Sequence, residues 1–177
     1  MTLSDDPGRV ELARPRTGAA RVGFGHDSHP FGPEMGLRLG GVEIEGAPRL
    51  AGHSDGDVAL HAVADALLGA AGMGDLGRLF PADSRTPRGV ASAELLSEVV
   101  ARLAAADLRP SGVDLVIIGA RPRLGARLDA MRDAVAALLG LPAPDVNVKA
   151  STGNLTGDEG AGRSISARAV ATVEGTR

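Results

Sequence analysis

The segment VDLVII, residues 113–118, is apolar at five of its six positions. It is too short for an ordinary helix and reads as a strand buried within a sheet. A buried strand needs cover, and three segments with helical spacing can supply it. Residues 57–71 repeat Leu60, Val63, Ala64, Leu67 and Ala71 on one face, and residues 92–106 repeat Leu95, Leu96, Val99 and Leu103. Residues 125–139 do the same with Leu128, Met131, Val135 and Leu138. Further strand signals lie at 21–25, at Val146 and Val148, and at 164–173, where Ile165, Ala167, Ala169 and Ala171 share a face. Residues 36–45 (GLRLGGVEIE) predict a short hairpin with Gly40-Gly41 at its turn. Strands mixed with helices, with no internal repeat or linker, predict one layered domain of α/β or α+β class. The 177 residues suit a single domain of ordinary size. Residues 1–19 carry Pro, Gly and mixed charge without period, and are expected to form a disordered N-terminal arm.

Composition narrows the chemistry. Nineteen basic against 22 acidic residues, a net charge of -3, give no general attraction to nucleic acid or anionic membrane. Three Phe without Tyr or Trp offer no platform for stacking bases. No apolar run approaches the length of a membrane span, and the N-terminus lacks the regions of a signal peptide, so a cytoplasmic location is expected. The absence of cysteine removes disulfides, thiolate ligands and thiol catalysis, so a metal must be held by nitrogen and oxygen. Lys149 is the single lysine, which excludes most lysine-based mechanisms.

All four histidines, at 26, 29, 53 and 61, fall within 36 residues. Asp27 and His29 are two apart, so an extended backbone aims both to one side, and His26 to the other. His61 sits on the polar face of the first helix, where Asp57 or Asp65 could orient its ring. Two His and one carboxylate make a three-ligand site with a fourth position open, as catalytic zinc requires. Hydrogen-bonded histidines without a metal fit the same spacing. The loop His53-Ser54-Asp55-Gly56-Asp57 precedes the helix and admits two readings: an anion site of backbone N–H groups, or an acidic helix cap supplied by Ser54 or Asp55. The stretch GDEGAGRS, residues 157–164, mimics a phosphate-binding loop, but too little chain follows it; a turn-rich loop entering an edge strand is the better account.

Gly25-His26-Asp27-Ser28-His29, then AGHSDGDVALHAVADALL over 51–68, then GDLGRLFP over 74–81, together resemble the 2-C-methyl-D-erythritol 2,4-cyclodiphosphate synthase family. Residues 113–118, Arg121-Pro122-Arg123, the helix ending at Leu139 and DVNVKA over 145–150 follow in family order. The resemblance covers about residues 20–175. It implies an α+β fold, a single-domain two-layer sandwich with a mixed β-sheet and helices on one face. It also implies a homotrimer with active sites between subunits. The implied reaction closes 4-diphosphocytidyl-2-C-methyl-D-erythritol 2-phosphate into a cyclic diphosphate and releases CMP, a phosphorus–oxygen lyase step of the non-mevalonate isoprenoid route.

By position, the resemblance assigns Asp27, His29 and His61 to a divalent metal, usually zinc, and His53 and Thr152 to transition-state stabilisation. Ser54, Asp75, Leu76, Gly77, Arg123, Ser151, Gly153 and Asn154, with the ligands and the catalytic pair, match substrate-binding positions. The backbone of residues 119–125 aligns with the cytosine-recognising stretch, and magnesium or manganese is expected to bridge the substrate diphosphate. No partner beyond the cytidine-linked substrate and the other subunits is implied. Because the nucleophile is an already ionised phosphate oxygen, positioning and charge stabilisation suffice.

Departures cluster late in the chain. Ser151-Thr152-Gly153-Asn154 stands for a Thr-Thr-Thr-Glu run, Asp158 and Ala161 align with a Phe and an Arg, and Ala82 takes a carboxylate's place in the FPDTD-like Phe80-Pro81-Ala82-Asp83-Ser84. Arg163 is a candidate replacement for the arginine, and Asp83 for the carboxylate. Two other functions fit parts of the pattern: a non-catalytic metal-bound trimer binding nucleotide or isoprenoid diphosphate, and a general metallo-phosphohydrolase.

Overall fold

The computed structural model describes residues 20–176, so the expected arm over 1–19 lies outside the described residues. The chain runs β1 (Arg21–Leu39), β2 (Val42–Leu50), α1 (Val58–Ala71), α2 (Leu76–Leu79), α3 (Ser92–Ala105), β3 (Leu108–Ile118), α4 (Leu128–Leu139), β4 (Val146–Ser151), α5 (Gly157–Gly160) and β5 (Ser164–Gly175). One mixed sheet has the order β2-β1-β5-β3-β4, antiparallel except for the β3–β4 pair.

β1 is much longer than the five residues its pattern predicts. Its first half pairs with β5, from Arg21 opposite Val173 to Pro30 opposite Ser164, and its second half pairs with β2 from Phe31 opposite Leu50. The polar cluster His26 to Pro30 is therefore strand rather than loop, because β5 supplies its ladder. The Gly40-Gly41 turn falls where expected, both glycines having positive φ. β5, expected at an edge, is the central strand. Its Ile165, Ala167, Ala169, Ala171 and Val173 are buried, so the Gly-rich loop before it leads into the middle of the sheet.

The helices cover one face of the sheet, as the resemblance implies. α1 lies against β1 and β5, α3 against α1 and β3, and α4 against β4. α1 is less amphipathic than its periodicity suggests: eleven of its fourteen residues are buried, because it is enclosed between sheet and α3. Its approach to β1 is very close. A Cβ on Gly25 would stand 2.0 Å from the Ala62 carbonyl oxygen, and one on Gly23 equally near that of Ala66. Gly-x-Gly in β1 and Ala-x-x-x-Ala-x-x-x-Ala in α1 are thus one packing device. It also places the chemistry: with Gly25 under Ala62, Asp27 comes under the first turn of α1, where His61 stands.

Among the described residues, nothing covers the sheet's other face. Val22, Phe24 and Val170 are exposed there at 66%, 63% and 42%. Among the described residues, no helix is long and apolar enough to cross a membrane.

Candidate active site

The end of α1 is held by Asp57, not by Ser54 or Asp55. The Asp57 carboxylate, 1% exposed, accepts from Ala59 N and Leu60 N in the helix, both at 3.1 Å, and from Gly40 N and Gly41 N in the hairpin, both at 2.8 Å. One side chain therefore ties the β1–β2 turn to the start of α1. Burial pushes this carboxyl upward in pKa, and the N–H donors of Gly41, Leu60 and Gly40 oppose that shift. The anion-site reading of the 53–57 loop fails for the same reason: the N–H groups of Asp55, Gly56, Asp57, Ala59 and Leu60 are all bonded within the chain.

Asp27, His29 and His61 converge as expected, their ligand atoms all within 4.8 Å of one another. Asp27 Oδ2 lies 2.8 Å from His61 Nδ1 and 3.0 Å from His29 Nε2. The far nitrogen of each ring is also engaged. His29 Nδ1 meets the Ala51 carbonyl oxygen, which can only accept, so that nitrogen carries hydrogen and Nε2 is the ring atom left facing Asp27. His61 Nε2 is met by two hydroxyls, Ser92 Oγ at 2.9 Å and Ser54 Oγ at 3.1 Å. Neither Asp57 nor Asp65 orients this ring. Asp57 is spent on the cap, and Asp65, although it lines the cleft, accepts from Leu76 N at 2.7 Å.

A cation fits between the members of this group. Burial pushes the Asp27 carboxyl up, but the bonds and charges of His29 and His61 outweigh it and hold it well below the usual range. The bond to Asp27 raises His29 in turn. Hard oxygen and borderline nitrogen donors, each supported behind by a hydrogen bond, fit a divalent ion such as zinc.

The triad opens into a cleft of about 310 Å³ that is also lined by His53, Ser54, Leu76, Gly77, Ala82 and Thr86. His53 is oriented by a 2.7 Å bond from Nε2 to the Thr86 carbonyl oxygen. Ser54 is buried, its hydroxyl accepting from Gly56 N at 3.1 Å and touching His61. Asp75 does not line the cleft; it caps α2 through Arg78 N and pairs with the Arg78 guanidinium. Asp83 does not line the cleft either; it is gripped by Arg85 through bonds of 2.7 to 3.1 Å.

Arg123, Ser151 and Thr152 line a second cleft of about 210 Å³ with Gly119, Ala120 and Pro122. Gly153 and Asn154 form the turn just beyond it. Within one chain His53 and Thr152 therefore face different clefts. Arg163 lines neither, its guanidinium paired with Asp158. Ser92 and the Ala51 carbonyl were not legible in the sequence: a lone Ser opening a helix and a backbone oxygen carry no motif.

Fold and site define a small α+β protein with a preorganised cation centre in a cleft. Residues 20–174 match the model of the YgbB family, and the chain belongs to that family. It is 45% identical over 154 residues to the 2-C-methyl-D-erythritol 2,4-cyclodiphosphate synthase of Symbiobacterium thermophilum, covering 87% of this chain and 98% of that protein. It is 48% identical over 154 residues to a bifunctional enzyme IspD/IspF of Desulforudis audaxviator, 87% of this chain but only 39% of that protein. The chain thus spans about two fifths of the bifunctional relatives it matches. A CDP-bound 2C-methyl-D-erythritol-2,4-cyclodiphosphate synthase structure superposes with a TM-score of 0.76 at 36% identity, covering 87% of this chain and all of that one.

Proposed function

We propose that this chain performs the reaction its relatives are named for, closing 4-diphosphocytidyl-2-C-methyl-D-erythritol 2-phosphate to the 2,4-cyclodiphosphate with release of CMP. The observation that carries the reading is the convergence of Asp27, His29 and His61 in the cleft that also holds His53. An oxygen of the 2-phosphate attacks the β-phosphorus; the bond from that phosphorus to the bridging oxygen breaks, and its electron pair leaves on CMP. The attacking oxygen is already ionised, so a strong base is unnecessary, and orientation does most of the work. A divalent ion on the triad, zinc by its donor set, supplies Lewis-acid stabilisation of phosphate charge. Magnesium or manganese serves the diphosphate itself. His53, oriented by Thr86, and Thr152 stabilise the charge that develops, while Leu76, Gly77 and the buried walls of the cleft limit water.

The second cleft, with the backbone of Gly119 and Ala120 beside Arg123 and Ser151, is assigned to the cytidine end. A CDP-bound relative supports a cytidine-linked ligand for the protein. Because His53 and Thr152 face different clefts, the active site is assigned to the junction of two copies in a homotrimer. The uncovered sheet face at Val22, Phe24 and Val170 supports burial against further subunits.

Phosphorus NMR of the protein with this substrate and magnesium tests the reading. Cyclic diphosphate and CMP are expected, lost on chelation and restored by zinc. Unchanged substrate despite bound zinc overturns it and favours a binding role.

A further inference from the structure

We propose that Asp55 and Ser92 form a hydrogen-bond relay that holds His61 in the one tautomer able to ligate a metal, which makes Ser92 a positioning residue of the metal centre. The inference deepens the metal reading of Asp27, His29 and His61 and rests on it.

Ser92 is the first residue of α3 and is 1% exposed. Its hydroxyl carries one hydrogen and faces three groups: Asp55 Oδ1 in a short contact, His61 Nε2 at 2.9 Å and Ser54 Oγ at 3.5 Å. A carboxylate can only accept, so the Ser92 hydrogen goes to Asp55. The Ser92 oxygen then presents lone pairs, and His61 Nε2 must be the donor in the 2.9 Å contact. With hydrogen fixed on Nε2, Nδ1, the nitrogen 2.8 Å from Asp27 Oδ2, is the atom left to give a lone pair to a metal. That is the ligand atom the triad needs.

Ser54 does not duplicate this role. Its oxygen, 3.1 Å from Nε2, accepts from Gly56 N, but its own hydrogen is not committed to a carboxylate. Without Ser92, the Ser54 hydroxyl is free to donate to Nε2. That would move the ring hydrogen to Nδ1, where Asp27 accepts it and the metal position is blocked. The relay is braced by backbone: Asp55 N donates to the Val90 carbonyl at 3.0 Å, and Gly89 N to the His53 carbonyl at 2.7 Å. These bonds clamp the 53–57 loop to the segment that delivers Ser92.

Zinc affinity measured by competition with a chelator, together with nitrogen-15 NMR of the His61 ring in metal-free protein, tests the relay. Ser92→Ala is expected to weaken zinc binding by about 10-fold or more, the usual consequence of removing an outer-shell partner. Ser92→Thr, which keeps the hydroxyl, is expected to restore most of it. Asp55→Ala removes the acceptor of the Ser92 hydrogen and is expected to cost as much as Ser92→Ala, with the double variant no worse than either single one. Ser97→Ala, on the exposed side of α3, is expected to leave zinc binding unchanged. In the NMR spectrum, His61 Nε2 is expected to be protonated in the wild type and to shift toward an acceptor nitrogen in Ser92→Ala. Zinc bound equally by wild type and Ser92→Ala, or an unprotonated Nε2 in the wild type, overturns the relay alone. A wild-type chain that binds no zinc overturns the metal reading beneath it.

Discussion

Asp27 and His29 stand on a strand paired residue by residue with β5, whereas Thr152 opens a turn whose next three residues, Gly153, Asn154 and Leu155, have φ of 58°, 53° and 60°. Around the triad each ring nitrogen has a partner, and Asp57 closes the helix end above it. Around Thr152 the backbone is irregular. Leu155 is 65% exposed, and the loop is tied back by few bonds, including Ala120 N to the Glu159 carbonyl at 2.9 Å and Arg121 Nε to the Gly162 carbonyl at 3.0 Å. The departures expected from the resemblance also differ: none falls on the triad, one is Ala82 in its cleft, and the rest gather at residues 151–163. A metal centre tolerates displacements of only a fraction of an ångström, so it is built on regular elements. Contacts to a flexible nucleotide can be redistributed among loop residues.

Variants on the two sides separate these roles. His61→Ala is expected to weaken zinc binding at least ~1,000-fold and to stop CMP release, since two ligands cannot hold the ion alone. Retained stoichiometric zinc, measured by metal analysis after dialysis, would show that the centre lies elsewhere. Gly25→Ala is expected to cost about 3 kcal/mol or more in denaturant unfolding, because its Cβ would stand 2.0 Å from the Ala62 oxygen and neither strand nor helix can yield locally. A loss below about 1 kcal/mol would mean that β1 and α1 pack less tightly than described. Thr152→Ala is expected to lower kcat about 100-fold, as loss of one charge-stabilising donor does, with zinc content and unfolding unchanged. Loss of zinc in that variant would erase the distinction between the two regions.

The smallest effect belongs to Asp83. Arg85 holds its carboxyl down at about 2 from the ordinary 3.8. A depressed folded-state value contributes stability that is complete above the unfolded value and fades as pH falls toward 2. Asp83→Asn is therefore expected to lower stability slightly above pH 4 and not at all near pH 2, in parallel unfolding curves. Because this pair is fully in solvent, the difference is expected to be small, and a large one would give the 81–86 loop a structural role.

Much of the architecture was legible from periodicity: three helices, the Gly40-Gly41 turn, and the buried alternation of β5 all stand where their patterns place them. The misreadings share one cause, which is pairing between distant segments. Residues 26–30 look like a polar loop until β5 supplies their ladder. Asp57 looks like a surface residue on the face of His61 until the hairpin N–H groups close over it. The chain's own order of residues determined which atoms could hold a cation, because only Asp, Glu and His are available without cysteine, and Asp-x-His on extended backbone aims two of them together. Only the tertiary structure decided that His61 joins them and that its ring faces them through Nδ1. By the relay proposed above, that choice falls to Ser92, which stands on α3 31 residues further along the chain, together with Asp55 in the loop before α1. Short-range periodicity records which face of an element is buried; it carries no record of which hydroxyl, thirty residues away, will accept a proton there.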